Sequence, residues 1–144
     1  MRIEPALSLR GDLAVPGDKS ISHRALMLAS IADGESVIRG FGRSADTLST
    51  AAAMTVLGAR VTDEGDELRV AGVGLRGLVA PPDPIDCGNA GTLLRLVAGI
   101  LAGQSGRFEL RGDESLSRRP LERIAQPLRL MGARVESTDG HAPL

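Results

Sequence analysis

The sequence predicts an α/β chain made of two copies of one unit, each running helix, strand, helix, strand, strand. Three ordered landmarks carry that prediction. Leu57-Gly58-Ala59-Arg60-Val61 returns as Met131-Gly132-Ala133-Arg134-Val135, 74 positions on. Gly34-Glu35-Ser36-Val37-Ile38-Arg39-Gly40 matches Gly106-Arg107-Phe108-Glu109-Leu110-Arg111-Gly112 at an offset of 72, and Arg24 corresponds to Arg95 at 71. Matches that keep their order while the offset grows slowly mark an internal repeat.

In the first unit, residues 15–82, an apolar helix is expected over 21–32 after a Ser-rich start, with Gly34 as its C-cap. A short strand follows over 36–39. Ser44 then caps a second helix, about 45–57, that has Asp46 in its first turn and Gly58 as its stop. Val61 belongs to a strand, Glu64-Gly65-Asp66 turns, and 68–71 returns as its hairpin partner. Gly72-Val73-Gly74-Leu75-Arg76-Gly77 fits the dinucleotide pattern G-x-G-x-x-G, but the Pro-rich stretch after it cannot be the helix that would hold a pyrophosphate. It is expected to be a flexible connector.

The second unit, residues 83–144, repeats the order. A helix follows Asn89-Ala90-Gly91-Thr92 and ends near Gly103, a strand covers 106–110, and a second helix starts around Pro120 and kinks at Pro127. Its final strand would begin near residue 142, so the unit is expected to be truncated before that strand and the chain to be a fragment. Residues 1–14 are expected to form a strand segment belonging to a second domain of a longer protein.

Composition narrows the function. Two Phe, no Tyr and no Trp leave no aromatic platform for single-stranded nucleic acid, and a net charge of −1 lacks the basic footprint of a nucleic-acid partner. No apolar run reaches the roughly 20 residues that span a bilayer, and the first 13 residues have no signal-peptide core, so no membrane partner and a cytoplasmic location are expected. Cys87 stands alone, without metal-ligand spacing around it, and is expected to be a small buried apolar residue. Neither His23 nor His141 has a recognisable triad partner.

Lys19 is the only lysine among 17 Lys and Arg residues. It lies in Pro16-Gly17-Asp18-Lys19-Ser20-Ile21-Ser22-His23-Arg24. The stretch fails the P-loop pattern, because Asp18 and Leu13 stand where that pattern needs glycine. Two readings remain open from local physics: an anion held by free helix-start N–H groups, Lys19 and Arg24, or serines that only cap a helix beside a surface salt bridge. The repeat supplies a twin, with Asn89, Gly91 and Thr92 at a helix start and Arg95 one turn on. A third cluster, Gly112 to Pro120, sends Arg119 toward a shared site or leaves it in a solvated loop balanced by Asp113 and Glu114.

At these residues the chain resembles the EPSP synthase family, the 3-phosphoshikimate 1-carboxyvinyltransferases of the shikimate pathway. The resemblance covers nearly the whole chain, through the 16–24 motif, Gly88 to Thr92 with Arg95, and Arg119-Pro120 followed by Leu130-Met131-Gly132-Ala133. The sister UDP-N-acetylglucosamine enolpyruvyl transferases typically have Asn after the Lys, where this chain has Ser20. The resemblance implies two domains, each of three βαβαββ units in the inside-out α/β barrel of enolpyruvate transferases, incomplete here. It implies transfer of the enolpyruvyl group of phosphoenolpyruvate to the 5-hydroxyl of shikimate 3-phosphate, with no cofactor and no metal.

Lys19 would then be catalytic and lie between the two substrates, with Ser20 and Arg24 on shikimate 3-phosphate. Asn89, Gly91, Thr92 and Arg119 would line the phosphoenolpyruvate pocket, while Arg95 orders the helix behind it. Gly91 is the position the family associates with glyphosate. The family's acid-base carboxylates and further cations would belong to the missing C-terminal remainder, so the fragment is not expected to be active alone. A stand-alone phosphate-ligand module and a fragment of the sister transferase are the alternatives.

Overall fold

The computed structural model describes Pro5, Ser8 and residues 10–144. The first unit has the predicted order: α1 (Lys19–Ser30), β1 (Asp33–Arg39), α2 (Ala45–Val56), β2 (Arg60–Asp63) and β3 (Glu67–Val73). The strands form one antiparallel sheet in the order β1-β3-β2, with Ile38 opposite Leu68 and Val61 opposite Val70. Leu68 and Val70 alternate with more exposed neighbours, which turns one sheet face onto the helices.

Several boundaries differ from the sequence reading for identifiable reasons. Helix α1 starts two residues early because Asp18, rather than a serine, is its N-cap, accepting from the Ile21 N–H at 2.7 Å. Gly34 lies inside β1, opposite Gly72, and Ile31 is the C-cap of α1. Ser44 caps α2 as expected, in a capping box completed by Thr47. The stretch 72–77 is a pinned turn, not a flexible connector. The Gly74 N–H donates to Ala32 O at 3.0 Å, Gly77 donates to Gly74 O at 3.2 Å, and a Cβ on Gly77 would overlap Val73 O.

The second unit contains β4 (Ile85–Asp86), α3 (Gly91–Leu101), β5 (Leu110–Arg111), a one-turn α4 (Glu114–Ser117) and α5 (Glu122–Leu130). β4 and β5 pair in parallel. Cys87 N–H extends that ladder to Arg111 O at 2.8 Å, whereas the corresponding position in the first unit is Pro16, which has no N–H to give. Of the predicted strand segment 1–14, residues 10–14 form no strand, and most of the remainder lies outside the described residues. The predicted strand over 106–110 shrinks to Leu110–Arg111, and α4 was not foreseen. Helix α5 runs through Pro127 as one element, with Arg123 and Pro127 both exposed, so the carbonyl that loses its intrahelical donor faces water.

The core lies between the helices and the two sheets. Leu26, Met54, Leu57, Leu93, Leu94 and Val97 are fully buried there, each worth about 1.5–3 kcal/mol of burial. Cys87 is buried among them, and burial pushes its thiol up to about 12, so it packs as an apolar side chain. Among the described residues no helix is long and apolar enough to cross a membrane.

Candidate functional site

Two loops, each feeding a helix, carry the residues singled out by the sequence. In the first, Asp18 satisfies Ile21, and the N–H groups of Lys19 and Ser20 have no protein acceptor among the described residues. Those groups and the helix dipole favour an anion. The Lys19 ammonium is not free: it pairs with Asp46 Oδ2 at 2.6 Å, in the first turn of α2, with half the Lys19 side chain still exposed. Arg24 lies one turn along α1 from Ser20 and is exposed.

Ser22 belongs to the scaffold of this loop. Its hydroxyl donates to Asp18 O at 2.7 Å and accepts from the Gly42 N–H at 2.9 Å, tying α1 to the loop after β1. A Cβ on Gly17 would overlap Gly40 O, and one on Gly42 would overlap Gly17 O. The two loop backbones touch, which is why glycine occupies both positions.

His23 is a core residue. It is fully buried, with Nδ1 2.6 Å from Thr50 Oγ1 and Nε2 without a partner. Burial lowers its pKa; Asp46 opposes this shift, and the Lys19 and Arg24 charges add to it. The unfolded chain therefore takes up a proton at this histidine more readily than the folded one. Both states are neutral above about pH 6.5, and below it the folded state loses stability until its own lower pKa is reached. Urea midpoints are expected to fall between pH 7.5 and 5.5, with a shallower fall in His23→Gln.

The second loop builds a denser cluster. Helix α3 has Ala90 as its N-cap and no side-chain cap, so the Thr92 and Leu93 N–H groups point out of the helix start without a partner among the described residues. The Asn89 amide donates to Asp113 at 3.1 and 2.8 Å, and its Oδ1 accepts from the Arg119 guanidinium. Asp113 is at once the N-cap of α4 and the anchor of Asn89. Arg118, by contrast, turns outward into an ion pair with Glu114. The cluster thus separates two adjacent arginines, one solvated and one directed at the helix start.

Gly91 is the meeting point. A Cβ there would stand 2.5 Å from Arg95 Nη1 and 3.2 Å from Arg119 Nη1. Arg95 Nε is buried without a hydrogen-bond partner, and its pKa is lowered by burial first and then by Arg123 and Arg119. The charges of Arg123 and Arg119 repel that of Arg95, and a field of this sign beside an uncapped helix start favours an anion. The start of α2 connects both loops, with Asp46 in its first turn on Lys19 and the Ser49 hydroxyl at the beginning of its second 3.3 Å from where a Cβ of Gly88 would stand.

Asn89, Gly91 and Arg119 are therefore gathered in one place, beside Thr92, while Lys19, Ser20 and Arg24 form the neighbouring group. No hydrogen bond joins the two groups among the described residues. Sequence reasoning missed Arg123, noted Asp113 only as an acid balancing the arginines of its loop, and noted Asp46 only as a first-turn acid. The available signal for Asp113 was an acidic residue placed to cap Glu114-Ser115-Leu116-Ser117.

The family model of EPSP synthase (3-phosphoshikimate 1-carboxyvinyltransferase) matches residues 3–144. The chain belongs to the EPSP synthase family. A 3-phosphoshikimate 1-carboxyvinyltransferase of Geobacter metallireducens is 49% identical over 99% of the chain, and one of Lactiplantibacillus plantarum is 49% identical over all of it. These matches cover 34% and 33% of the two relatives, so the chain spans about a third of the length of the curated relatives it matches. A solved EPSP synthase from Acinetobacter baumannii superposes with a TM-score of 0.88 at 43% identity, over 92% of this chain and 31% of that one. The mixed α/β architecture is that of part of the EPSP synthase fold.

Proposed function

We propose that this chain supplies one wall of a site that transfers the enolpyruvyl group of phosphoenolpyruvate to the 5-hydroxyl of shikimate 3-phosphate and releases phosphate. The observation that carries the reading is the convergence of Arg119, Asn89 and Arg95 on Gly91 at the uncapped start of α3. The free N–H groups there and Arg119 receive phosphoenolpyruvate, a small multiply charged anion, through charge-assisted hydrogen bonds worth roughly 1.5–3 kcal/mol each. The free N–H groups at the start of α1, with Ser20 and Arg24, receive shikimate 3-phosphate.

Lys19, at the start of α1, supplies the ammonium that lies between the two substrates in this reading. In the reaction the 5-hydroxyl oxygen bonds to C2 of phosphoenolpyruvate while a proton adds to the C3 methylene; the C2–O bond to phosphate then breaks and C3 gives up a proton. A fixed ammonium lowers the cost of moving charge and proton at these atoms. The chain spans about a third of the length of its curated relatives, and one wall alone is not expected to turn over. The family assignment disfavours the sister-transferase reading.

The test is a fusion of residues 1–144 to the C-terminal two thirds of the Geobacter metallireducens relative. Phosphate release that requires both substrates is expected. A fusion that folds like the parent relative yet releases no phosphate would overturn the reading. Calorimetry of the 144-residue chain with shikimate 3-phosphate separates a stand-alone binding module, which would bind at micromolar concentration without the rest.

Gly91→Ala in that fusion is expected to raise KM for phosphoenolpyruvate by roughly tenfold to a hundredfold, the loss of about one charge-assisted bond. The new methyl crowds the far ends of Arg95 and Arg119 and meets Leu116 Cδ1 at an ordinary 3.4 Å, so those guanidiniums shift and the fold does not. Unchanged thermal unfolding alongside a raised KM is the expected pair of results.

A further inference from the structure

Helices α1 and α2 meet through two polar rungs. Lys19 Nζ pairs with Asp46 Oδ2 at 2.6 Å, and His23 Nδ1 lies 2.6 Å from Thr50 Oγ1. Lys19 and His23 are one turn apart on α1, as Asp46 and Thr50 are on α2, so the rungs stack along the seam between the helices. Among the described residues these are the only hydrogen bonds between side chains of the two helices.

The rungs differ in their surroundings. The outer one is open to water, with half of the Lys19 side chain exposed, and an ion pair so placed holds a long flexible side chain only weakly. The inner one is closed. His23 and Thr50 are both fully buried, and the Thr50 hydroxyl also lies 3.2 Å from Asp46 O, in the turn that carries the outer rung. His23 Nε2 is buried without a partner. A polar pair that leaves a buried nitrogen unsatisfied fills a core less well than apolar side chains of the same volume, and the best-attested use of such groups is to set register between helices.

We propose that His23 is a positioning residue for Lys19: with Thr50 it fixes the register of α1 against α2, and so the place of the ammonium on Asp46. The ring does this in its neutral form. An imidazolium would bury an Nε2 N–H with no acceptor. It would also add a cation beside Lys19 and Arg24 on its own helix and draw on Asp46 across the seam, loosening the outer rung. The effect on turnover rests on Lys19 acting in the proposed reaction, whereas the effect on the side chain of Lys19 does not.

Lys19 is the only lysine of the chain, so carbon-labelled lysine gives a single set of side-chain NMR signals in the 144-residue protein. A pinned lysine shows two distinct Hε signals, and a freely rotating one shows them merged. Distinct signals are expected in the unsubstituted chain and in Thr50→Ser, which keeps the hydroxyl, and merged ones in Thr50→Val. Ser30→Ala removes another buried hydroxyl of α1, one that bonds Leu26 O within the helix, and is expected to lower the urea midpoint while leaving Lys19 unchanged. In the unsubstituted chain the Lys19 shift is expected to follow the His23 ring titration below about pH 6.5, a step absent in His23→Gln. Unchanged Lys19 signals in a folded Thr50→Val, equal merging in Ser30→Ala, or a Lys19 shift that ignores the His23 titration would each overturn the proposal. In the fusion, Thr50→Val is expected to lower kcat by about tenfold or more, with KM changed less. A fusion inactive before any substitution counts against the proposed reaction, and the NMR outcomes still decide the role of His23.

Discussion

Lys19→Met in the fusion enzyme is expected to lower kcat/KM by about 10²- to 10⁴-fold, the range for losing a positioned acid, base or charge. Two effects combine. The ammonium between the proposed substrate groups is lost, and Asp46, held at 2.6 Å by Lys19, becomes an uncompensated carboxylate beside a site for two anions. The double variant Lys19→Met/Asp46→Asn separates them. Substrate binding should recover in part and kcat should not, a coupling that the double-mutant cycle measures directly. Lys19→Arg keeps the charge but exchanges a mobile point charge for a planar fork, and is expected to recover binding more than turnover. Full activity in Lys19→Met would remove Lys19 from the chemistry.

Gly17→Ala is expected to cost the 144-residue chain about 3 kcal/mol or more, measured as a lowered urea midpoint at constant slope. The added methyl would overlap a backbone carbonyl, Gly40 O, and lie 2.9 Å from Gly42 N, so no side-chain rotation relieves it. The loops would have to separate, breaking the bond from Gly42 to Ser22 that fixes the start of α1. Gly99→Ala is the control. Gly99 is exposed within α3, with nothing near its would-be Cβ, and alanine there is expected to stabilise by roughly 0.5–1 kcal/mol.

Local chemistry made much of the first unit legible. The Ser44 cap, the Glu64-Gly65-Asp66 turn and the order of its five elements each depend on a few neighbouring residues, and the repeat extended that order to the second unit. What failed depended on partners elsewhere in space. Asp18 outcompetes the serines as N-cap because its carboxylate reaches the Ile21 N–H. The strand over 106–110 has strand-like sequence, but its ladder bonds form only around Leu110–Arg111, with β4 on one side and Leu144 on the other.

The candidate site divides in the same way. Helix-start residues such as Lys19, Ser20, Asn89 and Gly91 were visible because their positions along the chain carry the physics. The contacts that orient them, Asp46 to Lys19 and Asp113 through Asn89 to Arg119, join residues 24 to 30 apart in sequence, and no local spacing announces them.

Helix α2 touches both loops within its first turn or so, through Asp46 on one and Ser49 on the other. It works as a caliper. The two loops can change side chains independently, but the gap between them is set by one short piece of helix that contributes no proposed ligand. A shift or twist of that turn would move both groups of anion-binding residues together, so variants in α2 should alter the two substrate affinities jointly rather than one at a time.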